Sequence, residues 1–150
     1  MVETKVYRVD GQALAADPNL WKFIKTGLLS VKAKVGNRSH WEPLHVRKSI
    51  EANGSELWVV FDAVEPVGFY VLSVNNDPFV GIPTSLFVWI AYASPGHWQL
   101  VENHLIDVEA RAKELGIEAI EFLSPRKGWL RKLEPLGFQV AEIIHRKQIT

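Results

Sequence analysis

The chain has 150 residues, 47% of them hydrophobic and 23% charged, a composition that fits one folded domain with a single core and argues against disorder. Its 17 basic and 17 acidic residues cancel, so the charge balance favours neither nucleic acid nor an anionic membrane as partner, and the near-neutral surface leaves room for a homodimer. Cysteine is absent, which excludes a disulfide framework, a zinc-thiolate site and a cysteine nucleophile.

The opening Met1-Val-Glu-Thr-Lys5 carries an acid early and lacks the apolar core of a signal peptide. No apolar run reaches the roughly 20 residues that span a bilayer, and a cytoplasmic location, which fits the lack of cysteine, is the expectation. Lys5 to Val9 alternates and reads as a first strand. Asp17-Pro18 is a helix start, with Leu20, Ile24, Leu28, Val31 and Val35 at helical spacing and Gly36-Asn37 as the stop. Gly27 is the point where that helix is expected to weaken. Ser39 or His40 opens a second helix, with Pro43 near its start, Leu44, Val46 and Ile50 on its apolar side, and Asn53-Gly54 closing it.

Leu57 to Phe61 and Gly68 to Val74 read as strands, and the short connection from Asp62 to Val67 predicts an antiparallel hairpin. Asn75-Asn76-Asp77-Pro78 is a turn. Leu86 to Ala93 has almost no polar interruption, the mark of a strand buried on both faces of a mixed sheet. Trp98, Val101, Leu105, Val108, Ala112 and Leu115 step by threes and fours, and Gly116 stops that helix. Its other side carries Glu102, Asp107, Glu109 and Lys113. Ala119 to Leu123 predicts a strand parallel to Leu86–Ala93, joined by the helical crossover. A short helix around Trp129 to Leu136 and an apolar run from Phe138 complete the chain. Six tryptophans are expected mainly in the core, with one or two lining a cleft.

Between the central strand and the long helix lies Ser94-Pro95-Gly96-His97-Trp98. Ser94 reads as the helix N-cap, Pro95 as its first residue and Trp98 as a core contact. The same segment is a candidate anion cradle, because unpaired N–H groups and the helix dipole converge there.

The order strand, two helices, hairpin, central strand, long helix, strand, short helix, strand resembles the GNAT superfamily of N-acetyltransferases over nearly the whole chain. The most similar residues are Glu65-Pro66-Val67-Gly68-Phe69, Ala112-Lys113-Glu114-Leu115-Gly116, Gly128-Trp129-Leu130-Arg131-Lys132-Leu133 and Leu136-Gly137-Phe138. With the basic end His145-Arg146-Lys147, they are similar to GNAT-like proteins encoded by tailed bacteriophages. The resemblance implies an α+β (mixed α/β) fold, with a mixed central sheet of about six or seven strands and helices on both faces. It implies transfer of acetyl from acetyl-CoA to an amine of a small molecule or a protein. The implied cofactor contacts are the backbone of Ile90, Ala91, Tyr92 and Ala93 for pantetheine, and the amides of Gly96, His97 and Trp98 for pyrophosphate. A phage-encoded member would work in the host cytoplasm or in the virion.

The sequence departs from the family's Gln/Arg-x-x-Gly-x-Gly/Ala signature. In Ala93-Ser94-Pro95-Gly96-His97-Trp98 only Gly96 stands for a signature glycine, and Pro95 has no amide hydrogen. The family often places a carboxylate base on the central strand and a tyrosine acid on the last short helix. Here the strand's one ionisable residue is Tyr92, a poor base at neutral pH, and the helix carries Trp129. No catalytic residue is assigned. A second reading is therefore a catalytically silent GNAT-like domain with a degenerate loop, serving as an interaction or virion-associated protein.

Other ionisable groups read either way. His40 and His45, near Trp41 and Glu42, are candidate bases bordering an acceptor cleft or ordinary surface histidines. His97 and His104, seven apart, are expected on one helix side two turns apart, too far to share a metal, so no metal site is expected. Arg126-Lys127 with Arg131-Lys132 form either a phosphate-binding cluster or a solvated face.

Overall fold

The computed structural model describes residues 3–35, 40–122, 128–141 and 145–149. The elements in order are β1 (Thr4–Val9), α1 (Gly11–Ala16), α2 (Pro18–Val35), α3 (Pro43–Glu51), β2 (Glu56–Asp62), β3 (Glu65–Asn76), β4 (Pro83–Ala93), α4 (Leu100–Glu114), β5 (Ile120–Phe122) and α5 (Gly128–Leu133), which runs into a 3-10 turn at Glu134–Leu136. They form a mixed sheet in the order β1-β2-β3-β4-β5. The first four strands pair antiparallel, and β4 pairs β5 in parallel, as the crossover through α4 predicts.

Helices cover both faces. On one, Ile24 and Leu28 of α2 and Val46 and Ile50 of α3 pack on Leu57, Val59, Phe69, Val71 and Ile90. On the other, Leu100, Val108 and Ala112 pack on Val60, Tyr70, Leu72, Leu86 and Val88. Burying each of the larger aliphatic chains stabilises the fold by about 1.5–3 kcal/mol. Local chemistry sets the helix starts: the Asp17 carboxylate accepts from the Leu20 amide at 3.0 Å, and Asp10 caps the short α1 in the same way. Gly27 does not weaken α2. A methyl there would lie 2.5 Å from the Phe69 ring and 2.7 Å from that of Tyr92, so its missing side chain lets the helix sit close against β3 and β4.

Four expectations are corrected. The sheet has five strands among the described residues, not six or seven. The apolar run from Phe138 forms no ladder over 138–141; residues 142–144 lie outside the described set. The Phe138 amide instead donates to the Leu133 carbonyl at 3.3 Å, closing the helix end, while its ring meets Phe122 edge-on at 5.2 Å. The second helix begins at Pro43, and Leu44 points to solvent while Pro43, Val46 and Ile50 are buried. Finally, α4 begins at Leu100, so Ser94 is not its cap, and Trp98 is 66% exposed instead of packed in the core.

A half-buried charge cluster braces the α4 face. Arg111 grips Glu56 with two bonds of 2.9 and 2.6 Å, and the Trp58 indole donates to the same carboxylate at 3.0 Å. Burial alone would raise the Glu56 pKa, but the bonds from Arg111 and Trp58 outweigh it and hold the carboxyl below its ordinary range.

Candidate functional site

The central strand is bent at one residue. Val71 of β3 pairs Ile90 while its neighbour Leu72 pairs Val88, so Trp89 is an extra residue, a β-bulge. The packing confirms it: Trp89 and Ile90 both lie with the α2 cluster, whereas Val88 before them and Ala91 after them lie with the α4 cluster. A bulge bends its strand and increases the local twist. Among the described residues, the β4–β5 ladder pairs Leu86, Val88 and the residue between them with Ile120–Phe122, and the bulge follows directly. Beyond it, among the described residues, the outer edge of Trp89–Ala93 has no strand partner. Alternate N–H and C=O groups along that edge are left to bond a ligand. The predicted pantetheine contacts Ile90, Ala91, Tyr92 and Ala93 all lie on this stretch.

Side chains differ on the two faces of this stretch. Towards α4 stand only the small Ala91 and Ala93, and an apolar cavity of about 20 Å³ lies between Ala91, Tyr70, His104 and Phe122. The Tyr70 hydroxyl is buried and has no hydrogen-bond partner among the described residues. Burial first, and the Asp107 charge second, push this phenol well above its ordinary range, so it stays protonated. Towards α2 the wall is aromatic. Tyr92 packs on Phe23 and Phe69 with centroids 6.0 and 5.4 Å away, and Trp89 meets Trp41 edge-on at 6.4 Å. Lys32 fixes this corner by donating to the Trp41 carbonyl and the Glu42 carboxylate.

The loop after β4 is a tight turn. The His97 amide donates to the Ser94 carbonyl at 2.9 Å, and Gly96 between them has φ +89°. With Pro95 in the second place and glycine in the third, this is the pattern of a type II turn. The Leu100 amide then bonds the His97 carbonyl, and α4 starts with Gln99 as N-cap and no side-chain cap. Of the three predicted pyrophosphate donors, the amides of Gly96 and Trp98 have no partner among the described residues, while that of His97 is taken by Ser94. Lys132, from α5, donates to the Trp98 carbonyl at 2.9 Å and lies 3.5 Å from Glu102 in the first turn of α4.

The other candidates separate. His45 accepts the Glu42 amide at 2.9 Å and so caps α3, and His40 is exposed. His97 precedes α4, so it does not share a helix side with His104, and no metal-binding cluster occurs among the described residues. Arg126, Lys127 and the Trp129 side chain lie outside what is described; Arg131 is exposed. Sequence reasoning missed Trp89 as a bulge residue, because an unbroken apolar run does not mark where a bulge falls, and it missed Lys132 as a support of the loop.

The fold has solved counterparts. A ribosomal-protein-alanine N-acetyltransferase from Brucella melitensis biovar Abortus superposes with a TM-score of 0.70 at 12% identity, over 99% of each chain. A predicted acetyltransferase from Clostridium acetobutylicum, solved with acetyl-CoA, gives 0.70 at 12% identity, over 97% of this chain and 96% of that one. An aminoglycoside acetyltransferase from an uncultured soil metagenomic sample, solved with sisomicin, gives 0.69 at 13% identity, over 98% of this chain and 95% of that one. The chain has the GNAT fold. No protein-family model matches it, and no curated protein is similar to it in sequence. The Trp89 bulge thus lies in the central strand of a GNAT fold that spans the described elements.

Proposed function

We propose that this GNAT-fold chain is an N-acetyltransferase that moves the acetyl group of acetyl-CoA to an amine. The observation that carries the reading is the Trp89 bulge, which bends β4 just past its last described pairing with β5 and would turn the strand edge at Ile90–Ala93 towards the amides of a pantetheine arm. The likeness to acetyltransferases, one of them solved with acetyl-CoA, supports it. The residues fit the cofactor: the amides of Gly96 and Trp98 would meet the diphosphate, with Lys132 supplying positive charge beside them. Acetyl-CoA would bring the activated thioester. The chain's own share would be positioning and a strand amide to polarise the carbonyl, because no carboxylate stands on β4. The acceptor would be a small-molecule or protein amine approaching over the aromatic wall of Trp41, Trp89 and Tyr92.

Titration calorimetry with acetyl-CoA tests the reading. Binding at millimolar affinity or better, lost on Gly96→Pro, is expected. No heat at any workable concentration overturns it.

One observation favours a second reading, a silent domain that serves as an interaction protein. Glu102 stands in the first turn of α4, and one of its carboxylate oxygens is buried without a hydrogen-bond partner among the described residues. That negative charge already occupies the end of the helix where a phosphate would bind.

A further inference from the structure

Three side chains that the proposed acetyl transfer does not use meet between β1 and α4, where His104 also borders the small apolar cavity beside Ala91. His104 is buried, at 8% exposure. Its Nε2 lies 2.7 Å from Thr4 Oγ1, and its Nδ1 lies 2.8 Å from Asp107 Oδ2. A carboxylate only accepts hydrogen bonds, so in the neutral ring Nδ1 carries the proton and Nε2 accepts from the Thr4 hydroxyl. This is the order of contacts found in nucleophile–histidine–carboxylate triads, which are recognised by geometry and not by position in the chain.

The cluster is open to solvent on one side. Thr4, His104 and Asp107 lie at a shallow, largely open depression that Lys5, Val6 and Tyr7 also border. β1 is the edge strand of the sheet, so its outward N–H groups have no ladder partner among the described residues and stand free to bond an oxyanion.

We propose that Thr4 is an acyl-accepting nucleophile, with His104 as its general base and Asp107 holding the ring, and that the depression takes small activated acyl esters or thioesters. Thr4 Oγ1 attacks the carbonyl carbon and passes its proton to His104 Nε2. The bond from that carbon to the leaving oxygen or sulfur breaks, the leaving group takes up the proton, and an O-acyl-Thr4 ester remains. The step needs no cofactor bound at the Ile90–Ala93 edge, so it stands or falls apart from the acetyltransferase reading.

The test uses the whole chain with p-nitrophenyl acetate, following nitrophenolate release and mapping acetylated peptides by mass spectrometry. Acetyl is expected on Thr4, retained in Thr4→Ser and absent in Thr4→Val. His104→Gln should slow labelling about a hundredfold. Asp107→Asn should slow it as well, with Asp107→Glu restoring it, a rescue that a merely structural role would not give. Circular dichroism melting checks that each variant is folded. The partly exposed Thr4→Val keeps the shape of the side chain and serves as the decisive variant if His104→Gln fails to fold. Acetyl on Lys5 in place of Thr4, no adduct, or labelling of Thr4 indifferent to His104 and Asp107 each overturns the proposal.

Discussion

The Lys132 ammonium donates to the carbonyl oxygen of Trp98 at 2.9 Å, so a side chain from α5 holds the loop that leads into α4. The contact joins residues far apart in sequence at the place where a diphosphate would bind. In the acetyltransferase reading, Lys132→Met removes both the brace and the charge. Acetyl-CoA affinity should fall about tenfold, the equivalent of one charge-assisted bond, and the loss should shrink at high salt. Calorimetry at two ionic strengths reads both effects. Unchanged affinity would remove Lys132 from the site.

Gly27→Ala tests the close seating of α2 on the sheet. The added methyl meets the rings of Phe69 and Tyr92 at under 3 Å. Alanine is the better helix former, so propensity alone would stabilise α2 by about 1 kcal/mol. The clash in a packed core costs about 1–3 kcal/mol. We expect net destabilisation, seen as a lower urea midpoint with an unchanged slope. A raised midpoint would show that the aromatic rings yield easily.

Glu56 gives a pH prediction. Its folded-state pKa is depressed by Arg111 and Trp58, so its stabilisation is present above the ordinary carboxylate range and fades as pH falls through the folded value. Glu56→Gln should cost about 2 kcal/mol at neutral pH and little in acid. Urea melts across a pH series check this; a cost that is the same at every pH would contradict it.

The β2–β3 hairpin turns on Ala63 and Val64 alone, and Ala63 sits at φ +53°. A left-handed alanine is strained by about 1–2 kcal/mol, while glycine adds about 0.5–1 kcal/mol of unfolded-state entropy. Ala63→Gly should therefore be stabilising by up to about 1 kcal/mol. Thermal melting decides; a drop in midpoint would mean that the turn is unstrained.

Much of this layout can be read from the chain itself. Asp17-Pro18 and the spacing of Leu20, Ile24 and Leu28 mark α2, and the step of Leu105, Val108 and Ala112 marks α4 because periodicity reports a buried face directly. What escapes reading is where two local rules compete. Ser-Pro-Gly suits a helix start and a type II turn equally well; the turn wins here, and α4 begins six residues after Ser94. The 11-residue length of β4 hides its bulge, since Trp89 fits either face of an apolar strand. Thr4 and His104 are 100 positions apart, so only the His104–Asp107 half of their cluster is marked, by a separation of three on one helix.

The Trp89 bulge has a further consequence for how this strand tolerates length changes. Val88, Ala91 and Ala93 face one layer, and Trp89, Ile90 and Tyr92 the other. Excise Trp89 and Ile90 inherits its place, Ala91 follows on the opposite side, and strict alternation returns with no side chain changing sides. A strand shortened by one would thus keep its inside and outside intact and lose only its curvature. The surplus residue is redundant for hydrophobic pattern and indispensable for shape.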